Sequence, residues 1–206
     1  MHDLRVAVNL TGWRVFVRRR DDKAFQDVAL KVLRRDSYSC WYCGFQAMQY
    51  QQIVNADGNY ANNKFSNLVT ACCFCAQCHF LESVGMDESG GGQLIYLPEL
   101  SQADLNSFCH VLFCAMGNGT GYQDTAQAIY RDFKFRSQPV EDRFGSGSSQ
   151  PAILGQLVLE HNARSDRTAE EDILKEIRLL PSYEKFKVQL DAWAAAALEE
   201  LAEEAQ

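Results

Sequence analysis

Residues 67–78, NLVTACCFCAQC, decide how this chain folds, because Cys72, Cys73, Cys75 and Cys78 crowd into seven positions there. A second close pair, Cys40 and Cys43 in SYSCWYCGFQ, stands about thirty residues upstream. A thiolate knuckle needs a tight turn whose backbone N–H groups face sulfur, and Gly44 directly after the second cysteine permits the positive φ of such a turn. The downstream knuckle is either Cys72-x-x-Cys75 or Cys75-x-x-Cys78, and the spacing alone does not choose. Either choice supplies four sulfurs, which suits one closed tetrahedral zinc ion. A closed site has no open coordination position, so this zinc is expected to hold the fold and take no part in catalysis, contributing on the order of 10 kcal/mol to folding.

The eight cysteines would make four disulfides in a secreted protein. The N-terminus, MHDLRVAVNLTGW, alternates polar and apolar residues and lacks the charged start and apolar middle of an export signal. Close C-x-x-C pairs in a reducing compartment are metal ligands more often than disulfides. No apolar run reaches the roughly 18 to 20 residues of a membrane span, so a soluble, cytoplasmic protein is expected. Cys109 and Cys114 fall in an apolar helical pattern and read as small core residues, and Cys73 as a buried or spare thiol.

At 206 residues and 47% hydrophobic, the chain can bury a substantial core. Its net charge of -7 argues against a general nucleic-acid binder, which needs clustered Lys and Arg for phosphate. The charge is uneven: residues 1–39 carry nine basic and five acidic side chains, residues 160–206 six basic and twelve acidic.

LRVAVNL and WRVFVRR around Thr11-Gly12 suggest an N-terminal β-hairpin. Phe25, Val28, Ala29, Val32 and Leu33 form a helical stripe ahead of the cysteine region. QLIYLPEL reads as a short strand, Ser101 caps a helix running to about Met116, and another helix covers residues 123–135. GSGSSQ, 145–150, is a linker candidate. Three helices are expected beyond it, at 152–161, 168–180 (Thr168 and Glu171 forming a capping box) and 182–205. The last places Tyr183, Phe186, Leu190, Trp193, Ala197 and Leu201 at spacings of three and four. The expected division is 1–98 for the hairpin, helix and cysteine core, 99–144 for a helical extension packed on it, 145–150 for the linker, and 151–206 for acidic helices.

SYSCWYCG, then IVNADGNYANNKFSNLVTAC with a further Cys three residues on, resembles the zinc-knuckle branch of the His-Asn-His (HNH) nucleases over about residues 33–80. The resemblance implies an α+β fold: a small ββα zinc-knuckle core followed by mainly helical additions. It favours Cys72 and Cys75 as the second ligand pair, with Cys78 as the substitute. That family places a general-base histidine before the Asp-Gly turn, after a metal ligand; here those positions are Val54 and Asn55. The family's catalytic-metal ligands after the last zinc cysteine fall on Ala76 and Phe80. An amide takes no proton from water near neutral pH and an aliphatic side chain holds no cation, so no catalytic residue and no enzyme activity are expected.

The whole chain is also similar to a subunit family of the Dot/Icm type IVB secretion coupling complex. That likeness implies an adaptor, recruited to the cytoplasmic face of the inner membrane, that holds the C-terminal extension of the coupling ATPase DotL beside DotM and the IcmS–IcmW adaptors and supports effector export in virulence. No nucleic acid and no direct membrane insertion are expected. Two competing readings are a nuclease using His79 as base with Asp57 holding magnesium, and a zinc-finger nucleic-acid binder. Residues 40–80 offer them one lysine, Lys64, and no arginine. Asn55, Asp57 and Asn59 are a weaker candidate set for a hard cation. His2, His110 and His161 read as isolated structural or surface residues.

Overall fold

The computed structural model describes residues 2–86, 90–119, 121–164 and 173–204. At its centre β1 (Gln51–Asn55) pairs antiparallel with β2 (Leu68–Cys72), in register from Gln51 opposite Cys72 to Asn55 opposite Leu68, and β2 runs straight into the short helix α3 (Cys73–Ala76). All five β2 residues are buried, because both faces of this ribbon are covered. Alternation sends Ile53 and Leu68 to one face, where they meet Val32 and the stripe of Phe25, Val28, Ala29 and Leu33. The intervening Val54, Val69 and Ala71 join the main core. The stripe read from sequence is therefore the packing face of the helix that bears it, Lys23–Arg35.

That helix is the second of the chain. The expected N-terminal hairpin is replaced by an irregular segment and a helix, α1 (Leu10–Arg19), which makes Lys23–Arg35 α2. The first half of the expected hairpin does bury alternate residues, Leu4 and Val6. Its backbone bonds, however, go to residues 78–81, through Ala7 N–H to Cys78 O and Leu81 N–H to Ala7 O. At Thr11-Gly12 the chain enters a helix because the Asn9 side chain accepts the Gly12 N–H, an N-cap. Trp13, Phe16 and Arg20 then share one face at helical spacing, and that packing outweighs the strand-like Val15 and Val17.

A second ribbon pairs β3 (Gly92–Tyr96) with β4 (Ile177–Pro181), from Gly92 opposite Pro181 to Tyr96 opposite Ile177. This overturns the helix expected through residue 180. Ile177, Leu179 and Leu180 are buried against the edge that β3 offers, and non-local pairing overrides a helical pattern. The Thr168–Glu171 capping box lies outside the described residues. Between the strands run α4 (Gln102–Gly117), capped by the Ser101 side chain as expected, and α5 (Gln123–Phe135), with the bounds read from sequence. The unanticipated α6 (Gln138–Phe144) and then α7 (Pro151–Asn162) follow.

Residues 145–150 form a packed turn where a linker was expected. The Glu141 carboxylate accepts Gly147 and Ser149 N–H, Ser149 O accepts Leu94 N–H, and Ser148 and Ser149 are buried. Gly and Ser are chosen there for tightness of turn. On α7, a Cβ at Gly155 would come within 2.6 Å of Glu82 N, so glycine lets the helix lie directly on the 81–83 turn. The last helix, α8 (Lys187–Glu204), begins five residues later than its pattern suggests, after a turn that buries Phe186. Phe186 and Trp193 pack on Phe74, so α8 returns to the cysteine region. The outer end of its stripe, including Leu201, is exposed. Among the described residues no helix is long and apolar enough to cross a membrane.

Candidate metal centre

Cys40 and Cys43 sit on a turn closed by Gly44 N–H to Cys40 O at 2.9 Å, and Gly44 takes the expected positive φ, 77°. Trp41 N–H donates to Thr70 O at 2.8 Å, which fastens this turn to β2. Cys72 ends β2 and Cys75 lies in α3, so the strand-to-helix corner aims both at the turn. The four sulfurs of Cys40, Cys43, Cys72 and Cys75 lie within 4.8 Å of one another and all four residues are buried. Cys43 and Cys72 Sγ are 3.6 Å apart. A zinc tetrahedron with bonds of about 2.3 Å has sulfur–sulfur edges of about 3.8 Å, so the donor set fits that ion in number, type and spacing.

Cys78, the alternative ligand, stands outside this group, with its thiol donating to Phe74 O at 3.3 Å; burial pushes it up to about 12. Hydrogen bonds from Cys43, Cys72 and Cys75 hold the Cys40 thiol well below its ordinary range, while burial pushes Cys72 and Cys75 up. Four buried sulfurs cannot all carry charge without a cation among them. Cys73 and Cys109 are buried as expected. Cys114 is exposed, contrary to its reading as a core residue, because its position on α4 faces solvent; it accepts from Asn118 Nδ2 at 3.0 Å.

His110 is not isolated. Its Nε2 lies 3.3 Å from Cys72 Sγ, and Asn106 Nδ2 donates to Cys75 Sγ at 3.2 Å. The signal for this was present in the sequence: Gln102, Asn106 and His110 are polar residues four apart on the buried face of an apolar helix.

Of the positions singled out by the nuclease resemblance, Asn55 stands opposite Leu68, at the far end of the ribbon from Cys72. Asn55 is buried, its Oδ1 accepting from Arg19 Nη1 at 2.7 Å and its Nδ2 donating to Asn59 O and Asn62 O. The Arg19 guanidinium also donates to Tyr60 O and Asn63 Oδ1 and sits over the Phe25 ring. Sequence reading missed Arg19, since nothing local marks one arginine among three in a row. Val54, Ala76 and Phe80 are buried, and Phe80 meets Phe16, Tyr60 and Trp13 at centroid distances of 4.9, 5.2 and 5.3 Å. Beside them Trp13, Phe16, Arg20, Ala76, Gln77 and Phe80 line a cleft of about 180 Å³.

The remaining candidates are occupied elsewhere. The Asp57 carboxylate is exposed and accepts from Asn59 N–H, Asn62 Nδ2 and Asn67 Nδ2, bonds that outweigh its slight burial and lower its pKa. Asn59 Oδ1 accepts Ala61 N–H. Burial lowers His79 to about 4, and its ring packs against Tyr42. His2 stacks on Trp41, and His161 is exposed on α7. Among the described residues, the four cysteines are the one group of three or more His, Cys, Asp or Glu side chains gathered closely enough to hold a metal ion.

No family model matches the chain. It is 56% identical over 201 residues, 98% of this chain and 94% of the relative, to the type 4 apparatus protein DotN of Legionella pneumophila. Identity of that depth across nearly both full lengths means that the chain belongs to the DotN family.

Proposed function

We propose that this protein is a non-catalytic, zinc-stabilised adaptor subunit of a type IVB secretion coupling complex, with an HNH-like core kept for its shape. Cys40, Cys43, Cys72 and Cys75 are the zinc ligands. The ion neutralises their thiolates and locks the two knuckles together. On this reading the adaptor binds the C-terminal extension of the coupling ATPase DotL, works beside DotM and IcmS–IcmW, and helps recruit effectors. It is cytoplasmic, brought to the inner face of the inner membrane by that complex. The likeness to DotN, named a type 4 apparatus protein, supports a place in a secretion apparatus; the individual partners are those implied by the resemblance read from the sequence.

The observation that carries the non-catalytic reading is Asn55. A general base must reach a water or substrate proton. Asn55 has no basic nitrogen, and its amide is bonded on both sides to Arg19, Asn59 and Asn62. Ala76 and Phe80 offer no ligand atom, and aromatic side chains of α1 pack against Phe80.

Co-expression with the ATPase's C-terminal extension tests the binding half: a stable complex is expected on size exclusion, and separate elution overturns the adaptor reading. Incubation of the purified protein with plasmid and single-stranded DNA plus magnesium or manganese tests the other half. No cleavage is expected, even for Asn55→His, because one imidazole does not restore the metal ligands. Cleavage abolished by Asp57→Ala overturns the non-catalytic reading.

A further inference from the structure

Gln102, Asn106 and His110 form a polar ladder, one helical turn per rung, on the buried face of α4. Polar groups placed among Leu105, Cys109, Leu112 and Phe113 are costly unless bonded. Gln102 is bound to β4, its Oε1 accepting Leu179 N–H at 2.8 Å and its Nε2 donating to Leu179 O at 2.9 Å. Gln102 Nε2 also donates to Asn106 Oδ1 at 2.9 Å. With its oxygen turned toward Gln102, Asn106 has its amide N–H₂ left for sulfur, at 3.2 Å from Cys75 and 3.9 Å from Cys78.

His110, the last rung, is clamped. Phe45 and Phe74 stack on it at 3.7 and 4.3 Å, tilted by 6° and 16°. Phe45 lies two residues after the first knuckle and Phe74 lies between Cys72 and Cys75. The clamp keeps Nε2 on Cys72 Sγ at 3.3 Å, and Nδ1 is buried with no hydrogen-bond partner among the described residues. A sulfur bound to metal only accepts, so the tautomer that satisfies this contact carries its proton on Nε2 and leaves Nδ1 bare.

We propose that Asn106 and His110 are positioning residues for the metal centre: their N–H groups hold Cys75 and Cys72 and draw off thiolate charge, so that metal retention depends on the docking of α4. The inference rests on the four-cysteine zinc reading. Four thiolates around a divalent cation leave two negative charges in a buried place, and donors aimed at sulfur offset them. Loss of such outer donors typically costs 10- to 100-fold in metal affinity. Through Gln102 the β3–β4 ribbon is tied into the same network, so the helical additions and the knuckles stabilise one another.

The test uses the full chain loaded with zinc, and separately with cobalt, compared with His110→Phe, which keeps the stacked ring, and Asn106→Leu, which keeps the volume. Zinc transfer to a chromogenic chelator is expected to become about 10- to 100-fold more favourable in each variant, with a shifted thiolate-to-cobalt charge-transfer band. Cys109→Ala, which alters packing on the same helix and no donor, is expected to leave both readouts in place. His110→Gln restores a side-chain N–H and is expected to recover part of the retention. Wild-type protein that holds zinc while both variants hold it equally well, with unshifted cobalt bands, overturns the proposal and leaves the zinc reading standing. Wild-type protein that binds no metal overturns both. Should Asn106→Leu fail to fold, the comparison of His110→Phe with His110→Gln decides alone.

Discussion

Two buried polar clusters lie at opposite ends of the β1–β2 ribbon, around Asn55 and around Cys72, and they are closed in different ways. Around Arg19 and Asn55 the donors and acceptors are matched within the chain: the guanidinium meets Asn55 Oδ1, Tyr60 O and Asn63 Oδ1, and the amide meets two carbonyls. Around Cys40, Cys43, Cys72 and Cys75, four buried sulfurs face one another within 4.8 Å. The first cluster needs nothing from outside. The second, on the zinc reading proposed above, takes a cation to bring its thiolates together. A buried polar site is thus judged by whether its bonding capacity is filled from within, which here separates a candidate metal centre from a cluster closed by the chain itself.

The comparison breaks first at the sulfurs. Cys40→Ser, or exhaustive chelation, is expected to remove on the order of 10 kcal/mol and with it cooperative unfolding. Metal content and circular dichroism measure this, and a zinc-free protein with unchanged unfolding sinks the contrast. Phe16→Ala opens the aromatic packing around Phe80 and is expected to cost about 3–5 kcal/mol by denaturant titration, with zinc still bound. Arg19→Met removes the donor to three oxygens while keeping a long apolar stem, at an expected cost of about 2–3 kcal/mol, again without loss of metal. If Arg19→Met released zinc, the two clusters would be one site.

The smallest effect concerns the join between α2 and β2. Asp36 accepts Thr70 N–H, and its pKa is lowered because bonds from Arg35 and Thr70 outweigh burial. Asp36→Asn is expected to cost about 1–2 kcal/mol near neutral pH. A carboxylate with a lowered native pKa stabilises above its unfolded pKa, and that contribution disappears as pH falls through the native value. The difference between wild type and variant should therefore shrink in acid, as followed by denaturation at several pH values.

The paired C-x-x-C spacing, the stripe of α2, the cap of α4 and the bounds of α4 and α5 were legible because each is local chemistry: ligand spacing, period and capping lie within a dozen residues. The hairpin expected over residues 4–19 failed because the alternation of Val15 and Val17 looks the same whether or not Asn9 caps a helix start ahead of them. The helix expected through residue 180 failed because β4 exists only where β3, some eighty residues earlier, offers an edge. GSGSSQ has the composition of a tether, and Glu141 makes it a turn.

Local spacing was enough to place the cysteines in two knuckles, and the family resemblance to predict an α+β chain with helical additions. Tertiary contact gathered Cys72 and Cys75, the pair the resemblance favoured, with Cys40 and Cys43 and left Cys78 aside, and it alone brought Arg19 to Asn55 and set His110 and Asn106 of α4 against the sulfurs. The physical reason is range: ligand spacing and helical period are written within one or two turns of chain, whereas a hydrogen bond across 31, 36 or 38 residues is specified only once the core has closed around both of its ends.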